Sequence, residues 1–516
     1  MFFDKVIIIV DMKRILLIGN SPLPTENTKS RPAAGLRTYQ FLKPLIQEGG
    51  TTIDKAEHAF SSKNRPDFKV TLVTIALPEC YDEEPGQKEI GHSDHFRHLS
   101  ISKNDPNLFP TIQRLHDDFI PDAIIGVNTF GSYVASTLNS HAPLWADLNG
   151  WIMAEAQAQA SKMESNDYLS HYFEMEETVL KRADKISCVS DPQKYAVLGE
   201  LATFGRINRE TFGYKFTYSI PNGTEIFEGE DVIFDAEKQE ETMKKIGEIF
   251  NNRFPADAFS LLWMGGYNTW VDEINLFKSV SDAMEKCPKL FFVSTGGEIS
   301  GLDNKTFSKF KKMIDESKFK DRFLFLGWVK TSDIPFIYAR ANAGLNIDRK
   351  CAETYTGARN RINEMMKFGV PVITTLGSEI SYEVPVAGAG VAVKSGKHEL
   401  VTEEILHMYH DWNNRHGYKL KEYGENGRKY IKEKCNYEYL LKPLLKWLEN
   451  PRPAPDRGIV VKIGGKFGYT SVLAKARGAF TYLKNSGLKK FLGKLWQQTI
   501  KLATKIKNSG SGSRQN

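Results

Sequence analysis

The sequence predicts an α/β chain of two doubly wound halves facing a cleft, followed by a basic amphipathic tail. Three observations carry that expectation. Short apolar runs alternate with amphipathic stretches through most of the 516 residues, the pattern of parallel sheets covered by helices on both faces. That length exceeds one ordinary core, so two domains of roughly 200 residues are natural. Finally, Gly357 to Thr375 reads GARNRINEMMKFGVPVITT. An arginine-bearing turn leads into a short helix with Glu364 on its polar side, Gly369 stops the helix, and Pro371 heads an apolar run. Loop, helix N-terminus, carboxylate and buried strand is how many α/β proteins build a nucleotide site at the carboxyl edge of a sheet.

In the first half, strands are expected at Arg14 to Gly19, Phe68 to Ala76, Ala123 to Val127, Leu144 to Leu148 and Lys185 to Val189. A helix is expected from Ala33 to Glu48, kinked at Pro44 and stopped by Gly49-Gly50. Ser190-Asp191-Pro192 is a helix start. Pro221-Asn222-Gly223 is a turn and a plausible linker, and a charged helical stretch runs from Ala236 to Phe250. The second half repeats the alternation. Its strands are Ser260 to Met264, Leu290 to Ser294, Arg322 to Leu326, Ala343 to Ile347 and Val370 to Thr374. Helices Glu273 to Glu285 and Ser332 to Arg340 fit between them. These are two Rossmann-like halves, divided as 1–215 and 216–450. A helix at Tyr437 to Asn450 ends at Pro451-Arg452-Pro453, which marks the end of the folded body and the start of a tail over 451–516.

Composition is that of an ordinary soluble globular chain, with 41% hydrophobic and 26% charged residues. No apolar run approaches the roughly 18 residues of a membrane span. Val6 to Val10 is too short for a signal h-region, and residues 1 to 11 read as an extension upstream of Met12. The five cysteines are scattered without metal or redox spacing, which suits a reducing cytosol. Charge is uneven. Residues 457–516 hold 13 Lys plus Arg and no acid, leaving 56 basic and 63 acidic residues elsewhere. In that tail Leu488, Phe491, Leu492, Leu495, Trp496, Leu502, Ala503 and Ile506 fall at helical spacing, with lysines opposite. Such a helix suits the interface of an anionic bilayer, each lysine adding about 1 kcal/mol. The stripe argues against nucleic-acid binding; a helix packed back on the body is the plainer alternative.

Asn360, Arg361 and Glu364 share one helical face. A carboxylate there can accept two hydrogen bonds from a ribose diol, while the helix N-terminus with Arg359 or Arg361 meets phosphate. A solvated helix with an intrahelical Glu–Arg pair explains the same residues. There is no Asp-x-Asp motif, so no metal or other cofactor is expected. His92, His95 and His98, spaced by three, read as a polar loop rather than metal ligands.

The segment NEMMKFGVPVIT, Asn363 to Thr374, resembles the glutamate-helix-Gly-x-Pro-Val element of GT-B glycosyltransferases, especially the retaining family 4 group. Other landmarks follow in the same order: ADKISCVS from Ala183, IPNG from Ile220, LWMGG from Leu262, FVSTGG from Phe292 and FLFLGWV from Phe323. The resemblance spans about Lys13 to Asn450 and implies the GT-B fold, with an acceptor-side N-terminal domain and a donor-side C-terminal one.

By this resemblance Glu364 is the second glutamate of an E-x7-E pair and binds the donor ribose. The first falls on Thr356, with Glu353 the nearest substitute. The loop after the first C-domain strand, where an arginine and a lysine commonly hold the diphosphate, reads YNTWVDE and places Asp272 where a cation is expected. Arg359, Arg361, Arg349 and Lys350 are the available replacements. Gly266, Asn268, Trp270, Gly297, Val329, Gly357 and Asn360 complete the expected donor side. Tyr267, like Asn268 and Trp270, would shape a sugar or base pocket, core packing being the alternative for Trp270. On the acceptor side Gly35 and Arg37 would meet acceptor or donor phosphate, a surface arginine without a role being the alternative. Asp147 would position the acceptor, and Asn149 takes the place where the family often has a histidine.

Together these imply a glycosyltransferase moving sugar from a nucleotide donor to a lipid-linked or cell-surface glycan with retention. It would lie in the cytoplasm at the inner face of the membrane, anchored through 457–507. A non-catalytic scaffold that binds sugar nucleotides or glycans is the alternative from another class. An epimerase on the same fold would need no such tail.

Overall fold

The computed structural model describes residues 12–461 except 27, 47–67, 228, 252 and 300–302, with short stretches between 479 and 496. Val6 to Val10, Gly49-Gly50 and most of the basic tail lie outside the described residues.

The first sheet contains β1 (Lys13–Ser21), β2 (Phe68–Ala76), β3 (Lys88–His92), β4 (Phe96–Ser102), β5 (Ala123–Gly126), β6 (Leu144–Leu148), β7 (Lys185–Cys188) and β8 (Thr217–Ser219). Their order is β3-β4-β2-β1-β5-β6-β7-β8, parallel throughout except for β3, which runs antiparallel to β4. The central strands are apolar on both faces because helices cover both, as a parallel sheet requires. Ile15 and Leu17 face one buried cluster, Leu16 and Ile18 the other.

The second sheet holds β9 (Phe259–Trp263), β10 (Leu290–Thr295), β11 (Phe323–Gly327), β12 (Ala343–Asn346), β13 (Val372–Thr375) and β14 (Gly390–Val393). It is ordered β11-β10-β9-β12-β13-β14 and wholly parallel. Strand order reverses between β1 and β5 in one sheet and between β9 and β12 in the other. Crevices at such switch points are where open α/β sheets bind ligands.

The carboxyl edges of the two sheets face each other. Just beyond β7, the Ser190 hydroxyl donates to the Thr356 carbonyl (2.6 Å), and the Asp191 N–H donates to Glu379 (2.9 Å). Ser190 also caps helix Asp191–Thr203, as the Ser-Asp-Pro signal predicts.

Several local expectations are corrected. The helix from Ala33 ends at Leu42, and Pro44 sits in a following 3-10 turn. His92 ends β3 and His98 lies inside β4, so of the histidine triplet only His95 lies in a loop. His98 is buried against the Thr74 hydroxyl (2.9 Å), and burial pushes its pKa down to about 4, which keeps it neutral. Ordered structure runs past Pro453, because Asp456 pairs with Arg206 (2.8 and 2.9 Å) while Asp184 holds the Ala454 N–H and Arg457. The last helix of the body, Tyr437–Leu448, crosses back to pack beneath β1, with Leu441, Leu444 and Leu448 in the same cluster as Ile15 and Leu17. Among the described residues no helix is long and apolar enough to cross a membrane.

Candidate functional site

The turn after β9 is the centre of the site. Its own sequence supplies no cation, but two arginines reach it from elsewhere. Arg361, in the first turn of helix Asn360–Lys367, donates to the Met264 carbonyl, to Gly266 O (3.1 Å) and to Asn346 Oδ1 (3.3 Å). Its guanidinium stacks on Trp263 at 3.7 Å. Burial lowers its pKa to about 10, with Asp348 the largest opposing influence. It is half-buried, a cation at neutral pH, and forms no ion pair among the described residues, which leaves N–H groups to spare. Arg349 braces the other end of the same loop through the Val271 carbonyl (2.8 Å) and Glu273. Glu273 also attracts Lys162 from the first domain (3.4 Å) and Lys309 (3.3 Å). Asp272, found where a cation was expected, caps helix Glu273–Lys286. Lys350 is exposed.

Arg359, two residues from Arg361, differs in kind. It is the N-cap residue of the helix and points away, onto Asp348 (2.6 Å) and both oxygens of Glu353 (2.9 and 2.7 Å). Its charge is fully matched, and so is that of Glu353. Gly357 folds tightly against Glu353, and Thr356 spends its hydroxyl on the Ala352 carbonyl (2.9 Å).

Glu364 is no solvated residue, and its intrahelical partner is Lys367 rather than Arg361. One oxygen accepts from Thr224 (2.6 Å), the other from Lys367 (2.9 Å) and Arg31 (3.4 Å). Glu230 completes the group, binding Arg31 (2.8 Å) and Lys367 (2.9 Å). Burial pushes the Glu364 pKa up, but Lys367 and Arg31 outweigh it, and the net direction is down. Asn360 and Asn363 both bond Asn222 of the IPNG turn (2.7 and 2.8 Å).

The side of the loop facing Ile299 and Trp328 is built by close approach. A Cβ on Gly266 would sit 2.7 Å from Ile299 and 3.3 Å from the Trp328 indole. Trp328 is 55% exposed. Val329 beside it packs partly into the core, and the Gly297 carbonyl accepts from the Tyr267 N–H (3.0 Å). Tyr267 is fully buried, stacked on Trp263, with its hydroxyl on Ser294 (2.7 Å). It is core rather than pocket wall. Trp270 is half-buried under Arg359, and Asn268 closes its own turn on Thr269.

Across the cleft, Arg37 is buried rather than a surface residue. It grips Asp147 with two bonds (2.7 and 3.0 Å) and donates to Gln40, Asn222 and the Ile220 and Pro221 carbonyls. Ser187 takes up more of Asp147 (2.6 Å). This ion pair ties the end of β6 to the Ile220–Asn222 turn that leads into the second domain. Gly35 lets the helix from Ala33 lie on the Pro22 carbonyl, which a Cβ would strike at 1.8 Å. Asn149 donates to Asn128 (3.0 Å), and Asn128 in turn to Asn20 (3.1 Å), at the first sheet's switch point. Sequence reasoning missed Arg31, Thr224, Glu230 and Lys367. Trp328 lay inside the quoted FLFLGWV run, where only Val329 was singled out.

Two facing Rossmann-like domains, with the site at the carboxyl edge of the second sheet, define the GT-B glycosyltransferase fold, and this chain has it. Solved structures agree. Sucrose-phosphate synthase from Thermosynechococcus elongatus superposes with a TM-score of 0.59 at 16% identity, covering 85% of this chain and 98% of that one. HepE from Anabaena, in complex with UDP-glucose, gives 0.54 at 13% identity over 84% and 99%. WaaG, a glycosyltransferase involved in lipopolysaccharide biosynthesis, gives 0.52 at 13% over 84% and 98%. No protein-family model matches the sequence, and no curated protein does.

Proposed function

We propose that the protein is a glycosyltransferase that takes a nucleotide-sugar into the cleft and passes the sugar, with retention, to a lipid-linked or cell-surface glycan. The observation that carries this is Arg361: a half-buried guanidinium with no carboxylate partner among the described residues, laid on the glycine turn at the second sheet's switch point. A half-buried cation whose neighbouring carboxylate, Asp348, is already bonded to Arg359 is stabilised by an anion that arrives later. The diphosphate is that anion, held between Arg361 and the N-terminus of helix Asn360–Lys367. Trp328 and the Gly297 loop receive the base, and Glu364 the ribose once it exchanges Arg31 or Thr224 for the diol. Stabilising the departing diphosphate and holding the acceptor hydroxyl on the same face of the sugar is the catalytic task. Closure of the domains excludes water. The basic tail would hold the enzyme on an anionic membrane surface.

Thermal-shift screening against UDP-, GDP- and dTDP-sugars tests the donor site. Release of nucleoside diphosphate on adding a lipid-linked glycan tests transfer. Binding without release would favour the scaffold reading, for which Thr356 in place of a carboxylate is the supporting observation.

A further inference from the structure

We propose that Glu155, from the first domain, is the carboxyl that meets the donor sugar in this cleft, replacing the one absent at Thr356. This rests on the cleft being a nucleotide-sugar site. The obvious carboxylates around the cleft are already committed. Glu353 gives both oxygens to Arg359, Asp147 gives its own to Arg37 and Ser187, Glu364 is held by Thr224, Lys367 and Arg31, and Glu273 by three cations.

Glu155 differs from all of these. It lies in the first turn of helix Ile152–Met163, which begins just beyond the carboxyl end of β6. It is half-buried and makes no hydrogen bond or ion pair with any described residue. Its place is prepared by the chain: Gly150 turns with φ +107°, and a Cβ there would lie 2.4 Å from Glu155 Oε1. The helix packs against helix Ala352–Thr356 of the other domain. The carboxyl therefore stands next to the segment whose expected glutamate is missing.

The charged groups around it explain its state. Burial, then Glu353 across the interface, push its pKa up to about 8, with Arg359 opposing. Glu176, on helix Asp167–Arg182 behind it, also lies within electrostatic reach. At neutral pH the group is a protonated carboxyl, able to donate one hydrogen bond and accept another. A sugar hydroxyl does the same, so the two are complementary.

The test compares two ligands in the full chain. Calorimetry at pH 7 measures UDP and UDP-glucose, or the corresponding GDP or dTDP pair if the wild type prefers that base. Glu155→Ala should weaken the sugar nucleotide about tenfold, the worth of one or two hydrogen bonds, and leave the diphosphate within twofold. Glu155→Gln, which mimics the protonated form, should keep most of the affinity and remove the decline the wild type shows between pH 7 and 9. Equal effects on both ligands, or no effect on either, would overturn the assignment. A wild-type chain that binds none of these nucleotides refutes the donor-site reading itself, and this inference falls with it.

Discussion

Replacing Arg361 by alanine is the sharpest probe of the cleft. A guanidinium carries five N–H groups. Three are engaged, on Met264 O, Gly266 O and Asn346 Oδ1. Two remain for a ligand, enough for a forked contact with phosphate oxygens. A hydrogen bond to a charged group is worth about 1.5–3 kcal/mol, so the loss should weaken a nucleoside diphosphate about 10- to 100-fold. Stability should fall less, by about 1 kcal/mol for each carbonyl left without its donor. Arg361→Lys keeps the charge without the fork and should recover only part of the affinity. Arg359→Ala is the contrasting control. It strands Asp348 and Glu353 without their shared cation and should cost about 3–5 kcal/mol of stability, whatever the ligand. Titration calorimetry with UDP, GDP and dTDP reads the affinity, and thermal unfolding reads the stability. A well-folded Arg361→Ala chain that binds its diphosphate within twofold of wild type would refute the reasoning.

Glu364→Ala leaves Arg31 and Lys367 sharing Glu230 alone, and should cost about 3 kcal/mol besides weakening nucleotide. Because Glu364 titrates below the ordinary glutamate value of 4.5, its contribution is complete above that pH and should fade as pH falls further, visible as acid-dependent unfolding. The opposite sign holds at Glu176, which is buried with neither oxygen hydrogen-bonded to a donor and lies beside Glu200. Burial raises both carboxyls, so stability should decline as pH rises above 4.5. Glu176→Gln should raise the midpoint of unfolding at pH 8 and have little effect near pH 4. Truncation after Val461 keeps the Asp456 and Arg457 anchors. It should preserve the unfolding midpoint while abolishing co-sedimentation with anionic vesicles; retained pelleting would remove the tail from the anchoring role.

The long parallel strands were legible because burial on both faces makes them continuous apolar runs: Phe68 to Ala76 and Leu144 to Leu148 match to the residue. β3, β4, β8 and β14 were not. β4 mixes Arg97, His98 and Ser100 among its apolar residues, β8 has three residues, and β14 begins at a glycine. The site divides in the same way. Glu364 was marked by its motif, yet Arg31 lies 333 positions away in the chain and joins it only through the fold. Arg359 and Arg361 looked interchangeable in the sequence. A helix cap at one and a first turn at the other aim them in different directions, and that distinction is invisible without side-chain geometry.

The return of helix Tyr437–Leu448 to the first domain has a consequence for synthesis. That domain's core lacks Leu441, Leu444 and Leu448 until nearly the whole body has been made. At about 5–20 residues per second, the ribosome needs roughly 10–45 s to travel from β8 to that helix. Throughout that interval the underside of β1 has no cover from its own final helix. The second domain, contiguous between β8 and that helix, is complete first. The expected order of maturation on the ribosome therefore inverts the order of the gene: the second domain closes its core, and the helix that follows it then finishes the first.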